Sequence, residues 1–273
     1  MSDDPTRSGI HLRPDLSYGG YLKLDLLLAA QQPRSAEHDE LLFIVIHQAS
    51  ELWMKLSIHE LAAARAHIID DDLGPAFKMI ARVSRIQAQM IQSWDVLATM
   101  TPSDYERLRP HLGQSSGFQS HQYRTLEFLM GAKDGEMLRV HEGTEFHADL
   151  MSRLETSSLY DECVRLLARR GFAMPETLVD RDWRTPHKAH PSVEAAWLEV
   201  YRDPERFWDL YELAEKLVDL EFRFQQWRFA HLKTVERIIG FKSGTGGSTG
   251  ASYLARALSG SFFPELFQVR TVL

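Results

Sequence analysis

A chain of 273 residues with 44% hydrophobic and 25% charged side chains is rich enough in apolar groups to bury a core, and is not disordered. Its 31 Lys and Arg against 38 Asp and Glu leave a net charge of −7, which argues against a general nucleic-acid binder. The single cysteine, Cys163, excludes an internal disulfide framework and any CxxC motif, and fits a reducing compartment.

In chain order, the polar and acidic start MSDDPTRSG is unlike the basic and then apolar opening of a secretory signal. The strongest apolar run, Leu41 to Ile46, is far shorter than the ~18–20 residues that span a bilayer, so no membrane and a cytoplasmic location are expected. From Arg34 to Leu73 there is neither Gly nor Pro, and Leu42, Ile46, Ala49, Trp53 and Leu56 recur at helical spacing. A second long helix is expected from Gly74 to Thr101. Thr101-Pro-Ser-Asp104 then reads as a capped start for a short helix that stops at Gly113. Ser116-x-x-Gln119 has capping-box spacing and is expected to open another helix, ending near Gly131.

The pattern weakens between Lys133 and Pro191, with short helices expected at Leu150–Leu154 and Leu159–Arg170. The longest element follows Asp203-Pro204 and runs to Gly240, about 50 Å at roughly 1.5 Å per residue. A glycine-rich stretch and a last short helix, Tyr253 to Leu258, follow. No strand-like alternation, repeat or linker divides the chain. The expectation is a single all-α domain over residues 1–273.

Twelve histidines invite a metal search, but there is neither an HExxH helix nor a Glu-x-x-His pair. His187 and His190, between Pro186 and Pro191, read as a surface pair in a loop. The loop from Gly240 to Gly250 lacks the Lys-Ser/Thr of a phosphate loop and follows a helix, so it reads as a flexible lid.

Two histidines stand on apolar faces: His47, one turn after Phe43, and His231, among Phe224, Trp227, Val235 and Ile238. Singly, each fits a core histidine bonded to a carbonyl. Together they suit a haem, with one imidazole as iron ligand and one polar group on the opposite face. Tyr105 and Arg109, four apart on the short capped helix, could grip a carboxylate or simply cover a surface helix.

Ordered blocks across most of the chain carry a resemblance. They are Tyr18-Gly-Gly-Tyr21-Leu22, FIVIHQASELWMKL from Phe43, TPSDYERLR from Thr101 and SSGFQSHQYR from Ser115. FAHLKTVERIIGFKSGTGGSTG from Phe229 and FFPELFQVR from Phe262 complete the set. With these blocks the chain resembles the tryptophan 2,3-dioxygenase family, within the haem-dependent tryptophan/indoleamine dioxygenases.

The resemblance implies a cytoplasmic homotetramer with one haem b per subunit. It would insert O2 across the indole C2–C3 bond of L-tryptophan to give N-formyl-L-kynurenine. By position, His231 matches the iron ligand and His47 the distal histidine facing the indole N–H. Phe43 matches the indole-packing aromatic, and Tyr105, Arg109 and Thr245 the groups around the substrate carboxylate and ammonium. Ser116 and Gly117 match the haem edge, and Trp94 a pocket wall. Tyr18, Tyr21 and Leu22 match a segment, within residues 1–30, that reaches a neighbouring subunit's site.

His121 stands where the family pattern has Leu, and Ala230 where it commonly has Arg. Two rivals stay open on the sequence. One is a related haem enzyme for an altered indole, and the other a helical haem sensor without turnover, for which Tyr105, Arg109 and Thr245 together are not required.

Overall fold

The computed structural model describes residues 17–245 and 250–273. The acidic start and the glycine-rich positions 246–249 lie outside the described residues.

Regular structure among the described residues is helical throughout, as expected. Two short helices, α1 (Tyr18–Leu22) and α2 (Leu24–Ala29), precede α3 (Asp39–Ile69), α4 (Leu73–Leu97) and α5 (Pro102–Leu112). Then come α6 (His121–Met130), α7 (His147–Leu154), α8 (Leu159–Arg169), α9 (Glu176–Val179) and α10 (Pro191–Arg202). The chain closes with α11 (Trp208–Ile239), α12 (Ala251–Ala257) and α13 (Pro264–Val272).

The frame is three long helices. α4 packs against both α3 and α11, and α6 crosses α3. The expected apolar faces supply the core: Leu61 and Ala64 from α3, Ile80 and Val83 from α4, and Leu213 and Leu217 from α11 are all fully buried. Asp71, in the left-handed region at φ 59°, turns α3 back into α4 with a minimal connection.

Capping chemistry fixes the short helices that frame the site. Thr101 accepts from the Asp104 N–H while Asp104 accepts from the Thr101 N–H (3.1 Å), with Pro102 at the first position, as expected for α5. The box at Ser116 and Gln119 also forms, but it opens only a 3-10 turn, Gly117–Gln119. Ser120 caps α6 instead, and Gly131 at φ 115° ends it.

Two further expectations change. Helices α1, α2, α10 and α13 were not expected from the sequence; each is short, at 12 residues or fewer. His187 and His190 are not a surface pair. Glu265 on α13 is fully buried, and the chain before α10 folds over it to supply partners. His187 Nε2 lies 2.7 Å from its Oε1, the His190 N–H donates to the same oxygen (2.9 Å), and the Tyr160 hydroxyl donates to Oε2 (2.9 Å). Finally, α3 as a whole helix is long and apolar enough to cross a membrane on length and composition alone, with a mean hydropathy of 1.3 over its best window. Leu41, Val45, Leu52 and Leu56 form an exposed apolar face along it.

Candidate functional site

Where α3, α4 and α11 open, they line a cavity of about 220 Å³. The 115–120 turn, residues 244–245 and α12 form its rim. Most of its depth is aromatic and aliphatic, with Met54, Leu97, Met100, Val235 and Ile238 on the walls.

Both singled-out histidines reach it from separate helices. On α3, His47 Nδ1–H donates to the Phe43 carbonyl (2.7 Å). A carbonyl only accepts, so this bond fixes the tautomer and leaves Nε2 an acceptor. Burial lowers the His47 pKa against the opposing pull of the Phe43 carbonyl and Glu51, so the ring is neutral near pH 7. The Phe43 ring lies 4.1 Å from it. On α11, His231 is lowered to about 4, by burial first and by the field of His47 second. Its ring nitrogens meet no hydrogen-bond partner among the described residues.

Trp94 on α4 stands between the two. Its ring stacks parallel on His231 at 4.4 Å and sits 6.2 Å from His47, edge on. Tyr105, 9% exposed, lines the wall from α5, with its pKa raised by burial so that its hydroxyl keeps its proton. Ser116 and Gly117 lie on the rim. A side chain built at Gly117 would meet no protein atom within 4 Å, so packing within this chain does not demand glycine there.

Other expected residues stand differently. Arg109 is not on the cavity wall; its Nη2 donates to the Ser243 carbonyl (2.7 Å). Thr245 reaches the cavity rim while its hydroxyl donates to the Ser115 carbonyl, and Lys242 pairs with Glu106 of α5 (2.7 Å). The described part of the expected lid, 242–245, is therefore laid along α5 and the 115–120 turn. Tyr18 and Tyr21 are exposed, at 77% and 79%, and Leu22 is 41% exposed; none lines the cavity. His121 stacks flat on Phe146 at 3.8 Å, and Ala230 packs against the core.

Several wall residues escaped the sequence reading. Glu51 lies one turn past His47, where Gln122 holds it by donating to its carbonyl (2.9 Å) and to Oε2 (2.7 Å). Trp227, one turn before His231, was read on the apolar face around that histidine but not singled out as a cavity wall. The i±4 spacing from the two histidines was the available signal for both. Arg124 and Tyr253, from α6 and α12, carried no such mark.

The residues present fit a haem. A neutral imidazole with an unshared lone pair, sunk in an apolar cavity, is the donor that a haem iron takes. The indole N–H groups of Trp94 and Trp227, both on the wall, are buried without an acceptor.

Comparison with known proteins agrees. The family model described as tryptophan 2,3-dioxygenase matches residues 8–157 and 141–273. A tryptophan 2,3-dioxygenase of Erythrobacter litoralis is 60% identical over 260 residues, covering 95% of this chain and 99% of its own length. Tryptophan 2,3-dioxygenase 1 of Ralstonia nicotianae is 60% identical, covering 94% of this chain and 88% of its own. A Burkholderia pseudomallei tryptophan 2,3-dioxygenase is 58% identical, covering 98% and 88% respectively.

Proposed function

The chain belongs to the tryptophan 2,3-dioxygenase family, and from that premise we propose how its own residues bring about the oxidation of L-tryptophan to N-formyl-L-kynurenine. The observation that carries the reading is the pair of neutral imidazoles, His47 and His231, entering one enclosed apolar cavity from separate helices with Trp94 between them.

His231 holds the iron of a haem b. Bound there, the haem supplies the activation of O2, which no side chain can supply. The rest of the protein's task is positioning. Phe43 packs on the indole, and His47 Nε2 accepts its N–H, because Nδ1 is already committed to the Phe43 carbonyl. Neutral indole is a very weak acid, so this is a hydrogen bond that orients the ring and not a full proton abstraction. The Tyr105 hydroxyl donates to the substrate carboxylate. Arg109 exchanges its neutral partner, the Ser243 carbonyl, for that carboxylate, which is the stronger acceptor. The exchange frees residues 243–245 to settle over the substrate with Thr245 near its charged end.

The functional unit is a homotetramer in the cytoplasm. The support is the amount of apolar surface left on one chain: the outer face of α3, Tyr18, Tyr21, Leu26 and Leu28 of α1 and α2, and Trp208, Phe222 and Phe229 of α11. Faces of this kind mark protein contacts, and a neighbour's arm reaching the cavity rim would cover Tyr18, Tyr21 and Leu22.

The test is His231→Ala. It is expected to purify with little haem and to recover a five-coordinate spectrum with added imidazole. Full haem content with an unchanged spectrum would rule His231 out as ligand.

A further inference from the structure

A second, much smaller cavity of about 10 Å³ lies among buried residues of the bundle, and Trp227 of α11 stands on the wall of both. The two cavities follow one seam between the three long helices. On α3, residues three and four apart share a face: Phe43, His47, Ser50 and Met54 line the large cavity, and Ser57 and Leu61 continue the stripe into the small one. On α4 the stripe runs from Leu97 and Trp94 back to Met90, Gln87 and Val83. On α11 it runs from His231 back through Trp227 to Phe224. Leu126 and Met130 of α6 complete the wall.

That volume holds one molecule of about the size of water, and excludes tryptophan or indole. Water is a poor occupant. It needs roughly two to four polar partners, and the surface here is almost wholly apolar. The Ser57 hydroxyl is spent on the Trp53 carbonyl (2.9 Å), and neither Gln87 Oε1 nor the Trp227 indole N–H has accessible surface to offer. Apolar cavities of this kind stay dry and take up apolar gases such as xenon. Of the two reactants only dioxygen is small and apolar enough, and it has no hydrogen bond to lose on leaving water.

We propose that the small cavity is a docking site for dioxygen on its way to the large one. The inference rests on the haem reading above. Once tryptophan fills the large cavity and residues 243–245 settle over it, the rim is closed to a second reactant. The small cavity is remote from that closure: Phe224 and Trp227 precede the end of α11, where the loop begins, by roughly three to four turns. Dioxygen docked there reaches the large cavity past Trp227, the wall that the two share. The size of the site makes it selective, since no substrate can compete for it.

The test uses xenon on the haem-loaded protein, and flash photolysis of its ferrous carbon monoxide complex. Crystals pressurised with xenon should show an atom in the small cavity, against Leu61, Val83 and Phe224. After a flash breaks the iron–CO bond, carbon monoxide that retreats into the cavity should rebind in a slow first-order phase, ahead of ligand returning from solvent. Xenon should remove that phase. Val83→Ile, which adds a methylene to the wall, should remove it too, and should slow O2 association with the tryptophan-bound ferrous enzyme, with haem content and tryptophan affinity unchanged. Xenon seated only in the large cavity, an ordered water in the small one, or rebinding that neither xenon nor Val83→Ile alters would overturn the proposal. Should Val83→Ile fail to fold, the position of xenon and its effect on rebinding in the wild type decide the matter alone. A wild type that takes up no haem forms no carbon monoxide complex; that defeats the haem reading and this proposal with it, and is seen before any gas is added.

Discussion

His47 and His231 face one cavity, yet their rings are prepared for different tasks. The Phe43 carbonyl settles the His47 tautomer, whereas the His231 ring stacks on Trp94 and its nitrogens meet no hydrogen-bond partner among the described residues. If His47 accepts one hydrogen bond from a neutral donor, His47→Ala should cost about 1–3 kcal/mol in kcat/KM and leave measurable activity. Its discrimination against 1-methyl-tryptophan should shrink as well, since that analogue has no N–H to offer. Complete inactivity with normal tryptophan affinity would instead assign His47 as an obligatory base. At this scale the sequence was informative where spacing put a polar group on an apolar face, as at His47 and His231. Arg124 was hidden because its burial comes from α11 and α12 closing over α6, a long-range arrangement with no local periodicity.

Between α5 and the glycine-rich loop, several bonds act as one latch: Arg109 to Ser243, Lys242 to Glu106, and Thr245 to Ser115. A carboxylate should draw Arg109 from a neutral carbonyl. Arg109→Ala should therefore lose most of the preference for L-tryptophan over tryptamine in kcat/KM, a ratio that stays fixed if Arg109 only tethers the loop. The base of the loop gives a second prediction. Gly250 sits at φ 59°, and a Cβ there would come within 2.6 Å of the Lys242 carbonyl oxygen, a backbone atom that cannot swing aside. Gly250→Ala should push 242–245 off α5, raising the KM for tryptophan while haem content stays normal. An unchanged KM would show that the latch tolerates displacement.

The long helices were legible because their apolar faces repeat over many turns. The Ser116 box misled because a cap fixes where a turn begins and not how far it propagates; Ser120, just beyond, offers the next start a cap of its own. Helix α10 was legible in principle, since Pro191 opens it and Val193, Ala196, Trp197 and Val200 recur at helical spacing, but it spans only 12 residues.

On the scale of the whole molecule, the three-helix frame does what a haem enzyme asks of its protein. It lines one largely apolar cavity and presents two neutral imidazoles to it. The single chain still leaves large apolar areas uncovered on α1, α2, α3 and α11. Deleting residues 1–22 should weaken tryptophan binding more than haem binding, and a fully active monomer in sedimentation at assay concentration would refute a shared site. Spacing gave no mark for this segment; only the resemblance singled out Tyr18, Tyr21 and Leu22, which stay exposed on their own subunit. The central claim is tested most directly by supplying the haem-loaded protein with L-tryptophan and isotopically labelled dioxygen, and weighing the product. The account predicts N-formylkynurenine carrying both labelled atoms, lost in His231→Ala. A product with one labelled atom or none, or full turnover by that variant, would contradict it.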